Sequence, residues 1–225
     1  MMNASGADSP VFQGDASANQ APLYLASASP RRAELLRAYG YSARIIEPPI
    51  PEPDQLSQGI PPSALAEALS YFKARSVAGM VKTGLVIGGD TVVALDGRCY
   101  GKAVDREDAR RILRALAGTT QEVITGVTVL AQPGDRRLIQ HEVTQVTMRP
   151  MSDEQIEAYL DTNLWQGKAG AYGIQDHGDA FVERVHGSFT NVVGLPMELL
   201  GRMLAEFGVA PGRAPSTAPA AAHGG

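Results

Sequence analysis

Leu23-Tyr24-Leu25-Ala26-Ser27-Ala28-Ser29-Pro30-Arg31-Arg32-Ala33-Glu34-Leu35-Leu36-Arg37-Ala38-Tyr39-Gly40 passes from one kind of backbone to another within eighteen residues. The apolar run Leu23 to Ala26 is short enough for a buried strand. Pro30 stands where a helix accepts proline, at its first position. Leu35, Leu36 and Tyr39 then supply an apolar stripe, and Gly40 a stop. A strand feeding a helix through a hydroxyl-bearing loop is the opening of an α/β fold. The remainder keeps that alternation. Ala43–Ile46 is expected to be a strand, and Ser63–Val77 a helix marked by Leu65, Leu69, Phe72 and Val77. Leu85–Ile87 is expected to be a buried strand leading into Gly88-Gly89-Asp90-Thr91, with Val92–Leu95 extended and a hairpin at Asp96-Gly97. Asp105 caps a helix carrying Ala109, Ile112, Leu113 and Leu116. Strands follow over Glu122–Leu130 and Leu138–Met148. Ser152 and Gln155 have capping-box spacing. A strand over Phe181–Val185 and a helix over Pro196–Phe207 complete the pattern. The expectation is a mixed α/β sheet with flanking helices.

The organisation is that of one domain, residues 22–208, between tails at 1–21 and 209–225 whose composition lacks apolar period and predicts disorder. The 225 residues are 44 % hydrophobic and 20 % charged, an ordinary globular balance. A single cysteine, Cys99, excludes an intramolecular disulfide and a multi-cysteine zinc site. No apolar stretch is long enough to span a membrane. No basic run followed by an apolar one opens the chain, so a cytoplasmic location is expected. A formal charge of −4 argues against a general nucleic-acid binder, which needs a basic face.

Four segments carry chemistry. Ser27, Ser29, Arg31 and Arg32 surround a helix start, where free N–H groups and guanidinium forks suit a phosphate; the segment also fits a capped surface helix with solvated arginines. It is not the P-loop pattern. Asp90, after two glycines at the end of an apolar strand, suits a hard cation or an attacking water, the glycines letting a ligand approach the backbone; a turn aspartate is the alternative. Lys73 lies beside its helix's apolar stripe, where a snorkelling surface lysine is the commoner outcome, and Lys102 follows the hairpin. Lys168-Ala-Gly-Ala-Tyr172-Gly-Ile-Gln175 offers backbone groups and one carboxamide able to read a base edge, or a glycine-rich turn. Asn191–Pro196 is expected to be a strand-to-helix connection. The histidines show no metal-ligand spacing.

Taken in order, Ala-Ser-Ala-Ser-Pro-Arg-Arg (26–32), Gly-Asp-Thr (89–91), Gly-Lys (101–102), Lys-Ala-Gly-Ala-Tyr-Gly-Ile-Gln (168–175) and Asn-Val-Val-Gly-Leu-Pro (191–196) resemble the Maf-like nucleoside triphosphate pyrophosphatases. The resemblance implies a two-lobed, inosine-triphosphatase-like fold with the nucleotide between lobes. It also implies hydrolysis of a nucleoside triphosphate to monophosphate and pyrophosphate with a divalent cation, Mg²⁺ or Mn²⁺. Asp90 matches the catalytic aspartate. Arg31, Thr91 and Gln175 match positions tied to base selection in the dTTP/UTP branch. Ser27, Arg32, Lys73 and Lys102 fall on phosphate-binding positions, and Glu52 joins Asp90 as a metal ligand. Pro51, Ala103 and Asp176-His177 depart from the family's pattern. Partners are then nucleoside triphosphates, without nucleic acid or membrane, and with a homodimer as one assembly. Two rival readings are a non-catalytic nucleotide-binding regulator of septum formation and a 7-methyl-GTP pyrophosphatase.

Overall fold

The computed structural model describes residues 21–49, 59–174 and 180–212. Its elements in chain order are β1 (Leu23–Ala26), α1 (Pro30–Ala38), β2 (Ala43–Ile46), α2 (Pro62–Ala78), β3 (Gly84–Leu95), β4 (Arg98–Tyr100), α3 (Arg106–Leu116), β5 (Thr120–Gln132), β6 (Arg137–Met148), α4 (Asp153–Asp161), β7 (Val182–His186), α5 (Phe189–Val193) and α6 (Met197–Ala205). Seven strands form one mixed sheet in the order β2-β1-β3-β5-β6-β7, with β4 on β3. β1 runs parallel to β2 and β3, through the crossovers α1 and α2; the other pairings are antiparallel. The sequence expectation of a mixed α/β sheet with flanking helices is met.

Local chemistry accounts for the ends of several elements. The Asp105 carboxylate accepts from the Asp108 amide at 2.8 Å and starts α3. The expected capping box opens α4, Ser152 and Gln155 each accepting from the other's backbone N–H. After α6, the Val209 amide donates to the Leu204 carbonyl at 3.1 Å and the Gly212 amide to the Gly40 carbonyl at 2.8 Å. Val209 is thereby buried in the core, so packing continues past residue 208, where composition ended the domain.

Because neighbouring side chains on a strand point to opposite faces, β3 and β5 divide the core. Leu85, Ile87, Val127 and Val129 face α1 and α6. Further along the same face, Val93 and Val123 pack under α3 and α4. The alternate residues Val86, Val92, Ala94, Ile124 and Leu130 face α2, which covers the other side. Outside this core, α3 is clamped to α4 where Arg106 and Arg110 both pair with Glu157, whose carboxyl the two guanidiniums pull down to about 2.

Helix α2 lies unusually close to the sheet. A Cβ on Gly88 would meet the Ser70 carbonyl oxygen at 2.2 Å, and one on Gly126 the Ala66 carbonyl oxygen at 2.2 Å. The Ser70 and Thr128 hydroxyls join at 2.8 Å across this contact. Gly88 was expected to admit a ligand; it admits a helix. Its neighbour Gly89 faces the other way, where a Cβ would lie 3.4 Å from Arg32 Nε.

Candidate active site

One stretch of β3 lacks a strand neighbour on its outer edge. β1 ends where Ala26 pairs with Gly88, and β4 begins where Tyr100 pairs with Val93. Between them Gly89–Val92 are paired on one side alone, by β5. This gap lets side chains from both faces of the sheet reach one cleft: Asp90 from the α2 face and Thr91 from the other. The expectation that Asp90 ends a strand is corrected here. β3 runs unbroken through it to Leu95, and an aspartate is tolerated mid-strand because the neighbouring edge is open.

A cavity of about 530 Å³ occupies the gap. Its lining includes Ser27, Arg31, Arg32, Lys73, Asp90, Thr91 and Lys102, seven residues expected from sequence to meet at one site. The close seating of α2 puts Lys73 over Asp90, and Nζ donates to Oδ1. Both side chains are under a tenth exposed. Lys73 is therefore not the snorkelling surface lysine its helix position suggested. A lysine so buried is held by a facing carboxylate.

On the opposite face Arg32 is anchored by the protein itself. Its Nε donates to the Gly194 carbonyl at 2.7 Å, Nη1 to Ser27 Oγ at 3.4 Å and Nη2 to Thr91 Oγ1 at 3.2 Å. Ser27 Oγ also accepts from the Ser29 amide at 3.1 Å. The first turn of α1 opens beside these groups with Pro30 leading and no side-chain cap on Ser29. Helix-start amides without a side-chain cap, the Ser27 hydroxyl and two arginines together are the groups that suit an anion.

The residues from about 22 to 207 match the family model described as "Maf-like protein". The chain belongs to the Maf-like family. It is 42 % identical over 186 residues to the dTTP/UTP pyrophosphatase of Pelotomaculum thermopropionicum, covering 83 % of this chain and 96 % of the relative. Against the dTTP/UTP pyrophosphatase of Carboxydothermus hydrogenoformans it is 44 % identical, covering 83 % and 98 %. Against that of Ruminiclostridium cellulolyticum it is 43 % identical, covering 81 % and 94 %.

In this Maf-like chain two expected site residues, Glu52 and Gln175, lie outside the described residues, as do Asp176 and His177. Two charged cavity residues escaped the sequence reading. Lys168 is buried, its Nζ donating to the Leu164 carbonyl, and lines the cavity beside Ala169, which bridges to Lys102. Glu47, at the end of β2, adds a carboxylate. Lys168 began a motif read for its backbone groups and one carboxamide; Glu47 had no local signal. Tyr172 lines the same wall, but burial pushes its phenol up to about 12 and its hydroxyl lies 3.2 Å from the Gln121 amide, so it is a neutral packing group.

Asn191 was expected in a connecting segment and belongs instead to α5, a five-residue helix capped where Ser188 Oγ accepts from the Asn191 amide. For a metal, no cluster of three or more His, Cys, Asp or Glu exists among the described residues. Asp90 and Glu47 are nonetheless hard oxygen donors on one cavity. That set fits Mg²⁺, which is held by one or two carboxylates with substrate phosphates and water completing its shell. No helix among the described residues is long and apolar enough to cross a membrane.

Proposed function

We propose that this Maf-like chain hydrolyses dTTP and UTP to the nucleoside monophosphate and pyrophosphate. One observation carries the reading: the Lys73–Asp90 pair and the arginine-rich start of α1 open into a single cavity. A module that merely held phosphate would use the cations and have no need of a carboxylate among them. The names of the relatives supply the substrates.

The triphosphate lies along Ser27, Arg31, Arg32, Lys102 and Lys168, where positive charge concentrates in a chain whose net charge is −4. Asp90, oriented by Lys73, accepts a proton from water. The water oxygen bonds to the α-phosphorus, the bond from that phosphorus to the α–β bridging oxygen breaks, and pyrophosphate departs against the cations. Positioning and charge stabilisation supply most of the rate in such a displacement. Mg²⁺ or Mn²⁺, held by Asp90 with Glu52 or Glu47, supplies further neutralising charge to the phosphate oxygens when bound. Base selection falls to Arg31, Thr91 and Gln175.

Purified protein incubated with Mg²⁺ and dTTP, UTP, CTP, GTP or 7-methyl-GTP tests the reading. Pyrophosphate from dTTP and UTP at rates well above the others is expected. Orthophosphate as first product, or preference for 7-methyl-GTP, contradicts it.

A further inference from the structure

Three fully buried polar residues lie together beneath the cavity: Thr125 on β5, Thr144 on β6 and Asn191 on α5, each 0 % exposed. Their hydrogen bonds can be followed proton by proton, since a hydroxyl has one proton to donate and a carboxamide two. Thr125 Oγ1 donates to the Asn191 backbone carbonyl at 3.1 Å. With its proton placed on that carbonyl, which also accepts from the Gly194 amide at 2.9 Å, Thr91 is the donor in the 2.9 Å contact between the two hydroxyls, a pair whose geometry alone admits either sense. Thr91 in turn accepts from Arg32 Nη2 at 3.2 Å. The result is a one-directional chain from guanidinium through two hydroxyls to a backbone carbonyl.

The carbonyl at its end is itself fixed. Asn191 Nδ2 spends both protons, on the Val123 carbonyl and on Thr144 Oγ1, each at 2.9 Å, and Thr144 donates to the Ser188 carbonyl at 3.1 Å. Arg32 Nε donates to the Gly194 carbonyl, just after the same short helix. α5 therefore holds the guanidinium at two points, directly at Nε and through the hydroxyls at Nη2. Aligned donors in a low-dielectric interior strengthen one another, and a planar fork gripped at two nitrogens has its orientation fixed.

We propose that Thr125 is a positioning residue for substrate binding, acting through Thr91 to orient Arg32 toward the phosphates; the proposal rests on the pyrophosphatase reading above. It also revises what Thr91 does. Its hydroxyl proton is directed to Thr125, so toward a base it can act only as an acceptor.

The test is a double-mutant cycle read two ways: kcat and KM for dTTP, and the Kd of inorganic pyrophosphate by titration calorimetry. In the otherwise native chain Thr125→Val, which keeps shape and removes the hydroxyl, is expected to raise KM and the pyrophosphate Kd by up to roughly tenfold, the upper end of what one lost neutral hydrogen bond is worth. Thr125→Ser restores both. In an Arg32→Ala background Thr125→Val is expected to change either by less than about twofold, because the group it positions is gone. Equal losses in the two backgrounds would mean a general packing role and overturn the proposal, as would no loss in the native background. If Thr125→Val does not fold, Thr125→Ala enters the same cycle. A wild type inactive on dTTP, with the pyrophosphate cycle intact, would refute the functional reading and leave the positioning role standing.

Discussion

Asp90→Asn is expected to lower kcat for dTTP by about 10²–10⁴-fold, the usual contribution of a positioned general base, with KM changed far less. The asparagine keeps the shape of the aspartate but neither accepts a proton from water nor carries charge. It also removes the Asp90 carboxylate from the Lys73 amine. Removing one partner from a buried ion pair costs about 3–5 kcal/mol when the site is dry. The cost here falls below that range, because both side chains line an open cavity. Circular dichroism should accordingly report a folded protein with a lowered melting temperature, while pyrophosphate release nearly ceases. Turnover within a few-fold of wild type would remove Asp90 from the chemistry.

The second large effect comes from a residue that never touches substrate. Gly126 pairs with Asp90 across β3 and β5, and a methyl group there would sit 2.2 Å from the Ala66 carbonyl oxygen and 2.3 Å from its carbon. Those atoms are backbone, so α2 must move as a body. Overpacking of this kind costs about 1–3 kcal/mol and sometimes more, or a fall in melting temperature of roughly 2–4 °C per kcal/mol for a domain this size. The displaced helix carries Lys73, so Gly126→Ala should lose activity beyond what its stability loss explains. Full activity in Gly126→Ala at a temperature where it remains folded would show that the seating of α2 does not position the Lys73–Asp90 pair.

The same contact explains where the sequence was legible and where it was not. Leu65, Leu69 and Val77 identified α2 as a helix and are buried, yet Phe72, taken as part of the stripe, is only partly so. The closest face is built instead from Ala66, Ser70, Lys73 and Ala74. Small residues on a helix matched by glycines on two strands signal intimate packing, but the matches join positions 18 and 60 residues apart and appear only once the sheet is assembled. Lys73 was misjudged for that reason. Caps and turns set by neighbouring residues were legible, as at Asp105, Ser152 and Asp96-Gly97, because their physics is local. Short α5 was not, since five residues cannot show helical period. Nor could sequence reveal that β3 is unpaired over Gly89–Val92, a consequence of where β1 and β4 stop. The resemblance grouped Arg31, Arg32, Lys102 and Asp90, and all four line one cavity, whereas the support beneath them at Thr125 carries no signature in the sequence.

The central claim is that water, prepared at Asp90, attacks the innermost phosphorus of a triphosphate whose outer phosphates rest on the cations. Hydrolysis of dTTP in ¹⁸O-labelled water, with both products examined by mass spectrometry, tests it most directly. The label is expected in the thymidine monophosphate and absent from pyrophosphate. Label in the pyrophosphate would place the attack on the β-phosphorus and contradict the arrangement described for this cavity.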